Sequence, residues 1–94
     1  MNKEPKMYWE NEIVRTFATN LRYAMEKIGY TQDDVAEQAR CHQSYVSDIV
    51  NGKRVLRLDT AEKFAKVFGL ELWQTLLPRR EFIKEFVERM HRDD

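Results

Sequence analysis

Three features of the sequence predict an all-α domain. Apolar residues recur at helical spacing along most of the chain, no segment alternates apolar and polar residues as a half-buried strand would, and Gly29, Asn51-Gly52 and Gly69 punctuate successive stretches. The 94 residues, 43% apolar and 34% charged, suit one domain with a modest core. No apolar run approaches the roughly 18 residues that span a bilayer, so no membrane association is expected. The N-terminal MNKEPKMYWENE lacks the basic-then-apolar order of a signal peptide. The single cysteine, Cys41, rules out a disulfide framework within one chain and fits a reducing cytosol, so a cytoplasmic location is expected. Sixteen basic and 16 acidic residues leave a net charge of zero. That balance argues against a protein that coats nucleic acid non-specifically, yet it leaves open a local basic patch.

The first helix is expected from about Glu10 to Ile28, with Ile13, Phe17, Leu21, Ala24, Met25 and Ile28 as its buried stripe and Gly29 as its stop. Thr31 offers an N-cap to a second helix, Gln32 to Ala39, whose first turn carries Asp33 and Asp34 and which buries Val35, Ala36 and Ala39. Arg40, Cys41 and His42 separate it from a third helix that Asn51-Gly52 ends. KRVLRLD follows as a loop. Asp59 and Glu62 resemble a capping box for a fourth helix, Thr60 to Phe68, burying Ala61, Phe64, Ala65 and Phe68. A short fifth helix, about Glu71 to Leu77, adds Leu72, Trp73, Leu76 and Leu77. After Pro78 comes an extra C-terminal helix, about Arg79 to His91. The expected arrangement is a single domain over residues 1–94, with a five-helix core over about residues 10–77.

The third helix has two unlike sides. Gln43, Ser44, Ser47, Asp48 and Asn51 fall within about 140° of arc, and Tyr45, Val46, Ile49 and Val50 fill the other side. One side can bury. The other carries short donors and acceptors without the Lys and Glu of an ordinary solvated face. Two short helices joined by three residues must cross at a large angle, and Ala36 and Ala39 supply the small contact. This is a helix-turn-helix pattern, in which the second helix enters the DNA major groove. Gln can bond adenine bidentately, Ser can address several bases, and Asp can accept from the cytosine amino group.

The stretch TQDDVAEQARCHQSYVSDIVNGKR, followed by LRLDTAEKFAKVFGLELWQTLL, resembles the Cro/C1-type (lambda-repressor-like, XRE) helix-turn-helix family. Thr31-Gln32, Ala36, Ser44, Val46, Ser47, Ile49, Gly52 and Lys53 carry the match, which spans roughly residues 13–77. The resemblance implies that Gln32 bonds a phosphate and braces Gln43. It implies that Gln43, Ser44, Ser47 and Asp48 face bases, that Asn51 grips phosphate, and that Lys53, Arg54 and Arg57 follow the DNA backbone. Residues 40–57 hold Arg40, Lys53, Arg54 and Arg57 against Asp48 alone, so the acids Asp33, Asp34 and Glu37 should point elsewhere. Two positions depart from the family. Arg40 stands where the turn usually has Gly, so either a left-handed Arg is tolerated, at about 1 kcal/mol, or the turn is shaped differently. Val50 replaces a frequent Glu, an exchange that suits the core.

Cys41 and His42 stand too close together to form a metal site, and Glu81, Glu85 and Glu88 are explained by pairing with Arg80, Lys84, Arg89 and Arg92 along one helix. No catalytic constellation, metal site or cofactor is implied, and an enzyme is not expected. Phe82, Ile83, Phe86, Val87 and Met90 form a tail stripe too apolar to leave in water. It has two destinations: its own core, against Trp9, Phe17 or Trp73, or the same helix of a second subunit. Pairing is favoured, because two-fold symmetry doubles the contacts of a small module on double-stranded DNA. The expectation is a homodimeric transcriptional regulator, such as a repressor, on a pseudo-palindromic operator. The SYVSDI and NGKR phrases resemble restriction–modification controller proteins, and small phage repressors and antitoxins share the pattern. The alternative from another class is a protein-binding adaptor or antitoxin whose apolar tail holds a protein partner; zero net charge and the acidic second helix favour it.

Overall fold

The computed structural model describes residues 11–92, so the expected start at Glu10 and the packing of Trp9 lie outside the described residues. Among the described residues six helices appear in order: α1 (Glu12–Ile28), α2 (Gln32–Ala39), α3 (Gln43–Val50), α4 (Leu58–Val67), α5 (Leu72–Thr75) and α6 (Arg79–Arg92). The described residues contain no strand. α2 and α3 have the expected bounds. Their limits are written in local chemistry. Thr31 and Asp34 form a reciprocal capping box, Asp34 N–H donating to Thr31 Oγ1 at 3.1 Å and Thr31 N–H to Asp34 Oδ2 at 2.8 Å.

α1 starts on Asn11, whose side chain accepts from the N–H groups of Ile13 and Val14 at 2.9 and 3.2 Å. Its buried stripe is Val14, Phe17, Ala18, Leu21, Ala24 and Met25. Ile13 and Ile28 are therefore corrected: they are 60% and 37% exposed. Ile13 lies 100° from Val14 around the helix, at the edge of the stripe, and Ile28 ends the last turn. α4 begins two positions before the expected Thr60, and its N-cap is Arg57, without a side-chain bond. Asp59 therefore sits inside the first turn, accepting from Thr60 N–H, and forms no capping box with Glu62. The box appears instead on α5, between Glu71 and Gln74. α5 shrinks to one turn, and Trp73 points outward at 56% exposure.

The core is gathered from all the long helices. α2 packs on α3 and α4, while α1 runs along α3, α5 and α6. α6 folds back. Phe82 and Phe86 are buried in the chain's own core, stacked at 5.8 Å, with Tyr23 of α1 edge-on to both at 6.2 and 5.9 Å. The expectation that the whole tail stripe serves a second subunit is thus corrected for Phe82 and Phe86. The reason is geometric: Phe82 and Phe86 form one edge of the stripe and meet α1, while Met90, Ile83 and Val87 follow round the helix towards its other edge. Val87 and Met90 remain 38% and 40% exposed, and Ile83 is half-buried.

One buried polar residue ties these parts together. Asn20 is fully buried on α1, and its Nδ2 donates to the carbonyls of Thr75 and Leu77 at 2.9 Å each. Those carbonyls lie at and just beyond the C-terminal end of α5, where helix geometry leaves oxygens without partners. The Asn20 amide satisfies them and so fixes the corner that turns the chain into α6.

Candidate nucleic-acid interface

α2 and α3 meet through side chains small enough to let their axes approach. Ala36, Ala39, Val46 and Ile49 are all buried there. The turn between them places Arg40 in the left-handed region, with φ 59° and ψ 52°. Of the two alternatives for this position, the left-handed one is adopted. Arg40 N–H donates to the Glu37 carbonyl at 3.3 Å and Cys41 N–H to that of Ala36 at 3.0 Å, closing α2. Cys41 packs half-buried against the core, and burial pushes its thiol pKa up against a smaller opposing pull from Lys63.

The far end of α3 is closed by the same device with its usual residue. Gly52, at φ 70°, sends its N–H to Ile49, and Lys53 N–H reaches the Asp48 carbonyl at 2.8 Å. These two hydrogen bonds turn the chain sharply and bring Arg54 back alongside α3. Arg22 on α1, which the sequence pattern did not single out, makes a long 3.5 Å bond to the Val50 carbonyl, a favourable place for a cation.

Gln43 and Ser44 are exposed at the start of α3, with Ser47 and Asp48 half-exposed one turn on. Gln43 does not stand alone: its Nε2 donates to Oε1 of Gln32 at the first position of α2. Asn51 turns inward, its Nδ2 donating to the Ser47 carbonyl at 2.9 Å, so its amide helps end the helix. On the buried side Tyr45 stands edge-on to Phe64 at 6.3 Å and shares a 3.3 Å hydroxyl contact with Thr60.

The three loop cations differ. Arg54 Nε donates to Asp48 Oδ2 at 3.2 Å, and its guanidinium lies 4.7 Å from the Tyr45 ring centroid. Arg57 meets Asp59 through two bonds of 3.2 Å. The hydrogen bond from Arg57, then that from Thr60 N–H, holds the Asp59 carboxyl below its usual pKa, and Arg57 is raised in turn. Lys53 makes no ion pair among the described residues. Together with Tyr45, Asp48 and Val55 these cations line an open cleft of about 600 Å³. Asp34, taken up by the capping box, faces its own backbone.

The described residues contain no group of three or more His, Cys, Asp or Glu placed to hold a metal, and no helix long and apolar enough to cross a membrane.

A helix-turn-helix family profile matches residues 21–72. Over 75 residues the chain is 29% identical to a hypothetical transcription factor of Neisseria meningitidis serogroup B, a match covering 80% of this chain and 71% of the relative. It is 32% identical over 62 residues to the control protein C.BamHI of Bacillus amyloliquefaciens, covering 65% of this chain and 76% of that protein. The crystal structure of the hypothetical transcription factor NHTF from Neisseria superposes with a TM-score of 0.68 at 27% identity, over 89% of this chain and 94% of that one.

Proposed function

The chain belongs to the Cro/C1-type helix-turn-helix family and is a DNA-binding transcriptional regulator, and on that premise we propose that it reads a pseudo-palindromic operator as a homodimer, with α3 in the major groove. In this reading Gln43, Ser44, Ser47 and Asp48 face base edges. Gln32, Asn51, Lys53, Arg54 and Arg57 lie along the phosphates, Asn51 after its amide turns from Ser47. The regulator works in the cytoplasm without catalysing a reaction. Regulation follows from occupancy: repression if the operator overlaps a promoter, activation if the bound protein touches polymerase.

The observation that carries this reading is the Gln32–Gln43 bridge. A merely solvated helix face has no need of an amide on a neighbouring helix to aim its first residue. Here a side chain at the first position of α2 holds the leading side chain of α3. Phosphate anchoring and base reading would thereby share one geometry.

The second subunit is proposed to meet Ile83, Val87 and Met90, the flank of α6 that Phe82 and Phe86 leave outside the core. Control of a restriction–modification system is one setting for such a regulator, in line with its similarity to the control protein C.BamHI. Selection of bound duplexes from a random pool at physiological salt tests the reading. A two-fold symmetric motif supports it, and its half-site spacing reports the dimer. Folded protein that enriches no motif overturns it and turns attention to a protein partner for the α6 flank.

A further inference from the structure

The recognition helix carries one carboxylate on its polar side, and that carboxylate is engaged. Asp48 accepts from Arg54, the residue just past the turn that Gly52 and Lys53 make. Tyr45, one turn before Ile49 on the same helix, supports the guanidinium from below at 4.7 Å. The pair is half in water, with side-chain exposures of 50% for Arg54 and 37% for Asp48. Such a pair is weak, so it opens readily when both partners find something better. Until then it is neutral, and Arg54 adds nothing to attraction for phosphate.

We propose that Asp48 screens Arg54 from DNA of the wrong sequence and releases it to a phosphate only where a cytosine amino group takes the carboxylate. This rests on the reading of α3 as the recognition helix. The logic is an exchange. On a matching site Asp48 trades a guanidinium for a cytosine amine, which it can accept from, and Arg54 trades a carboxylate for a phosphate. On any other base Asp48 would be left unpaired in a groove lined by phosphates, so the pair stays closed. One residue thus acts as a positioning group for Arg54 and as a specificity determinant. The Arg57–Asp59 pair serves as the internal contrast: it sits at the start of α4, off the recognition helix, and neutralises a cation without regard to sequence.

The test uses the selected operator duplex and a scrambled duplex, with affinity measured across a salt series for the parent, Asp48→Asn, Arg54→Ala and the double variant. Asp48→Asn should bind the scrambled duplex about fivefold more tightly, with a salt slope steeper by about 0.9, as one added phosphate contact requires. Its preference for the operator should fall by at least that factor. In the Arg54→Ala background the same change should leave scrambled binding where Arg54→Ala alone puts it. Asp59→Asn should raise binding to both duplexes alike and leave the preference unchanged.

Two results overturn the proposal while leaving sequence-specific binding intact. One is Asp48→Asn binding the scrambled duplex as the parent does. The other is an equal gain in the Arg54→Ala background, which would mean that the carboxylate repels phosphate directly. A parent that binds both duplexes alike overturns the sequence-reading premise itself, and this inference with it. Matching thermal transitions among the variants verify that folding is not the variable.

Discussion

The α2–α3 unit and the α1–α5–α6 corner solve opposite problems with the same kinds of residue. In the corner, polarity is rare and buried: Asn20 spends both amide hydrogens on Thr75 and Leu77, and its Oδ1 is buried without a hydrogen-bond partner. Around it Phe82, Phe86 and Tyr23 supply contact area. In the α2–α3 unit, polarity is plentiful and lightly used. Gln32 meets Gln43, Asp48 meets Arg54 and Asn51 meets Ser47, all at or near the surface. Exposed pairs of this sort add little to stability because water competes for each partner. In the proposed reading they are therefore the pairs that can be exchanged for DNA contacts at little cost to the fold. The corner holds the domain together so that the surface unit is free to trade partners.

The contrast makes predictions that descend in size. Phe86→Ala should destabilise the domain by about 3–5 kcal/mol, since it removes a stacked ring from a closed core. Thermal melting would show a midpoint lower by about 15 °C or more for a chain of this length. A small shift would mean that α6 is peripheral and would collapse the comparison. Asn20→Ala should cost about 2–4 kcal/mol, because it orphans two carbonyls at a buried helix end. Denaturant titration reads that loss directly, and a cost below about 1 kcal/mol would show that water replaces the amide.

Changes in the other region should leave melting almost alone. Gln43→Ala should cost about 1–3 kcal/mol of operator binding and relax preference at one base pair, with stability nearly unchanged. Lys53→Ala, by contrast, should weaken binding to every duplex and flatten the salt slope by about one unit. If either variant melted like Phe86→Ala, the surface unit would be structural after all. The smallest effect is expected at Arg40. Arg40→Gly relieves a left-handed side-chain residue and should stabilise the domain by about 0.5–1 kcal/mol, less than the full strain because glycine also frees the unfolded chain. A loss of stability there would mean that the Arg40 side chain makes a contact worth more than its backbone strain.

What could be read from the sequence alone is what local chemistry decides. The bounds of α2 and α3 followed from Thr31, the spacing of Ala36 and Ala39, and Asn51-Gly52, because caps, stops and helical period act within a few residues. The polar side of α3 was legible for the same reason. So was the all-α class.

Tertiary structure alone decided which apolar residues lie inside. Ile13 and Trp73 read as core by type and spacing and stand outside, whereas Asn20 reads as surface and is buried. Phe82 and Phe86 belong to their own core, and Val87 and Met90 on the same helix do not. The carboxylate partners of Arg54 and Arg57 are local, six and two positions away, but they depend on how the chain turns after α3, which a charge count over residues 40–57 does not record. The physical reason is one of range. A helix's shape is set by bonds to its own neighbours, but which of its faces is dry depends on where distant helices lie, and no local period records that.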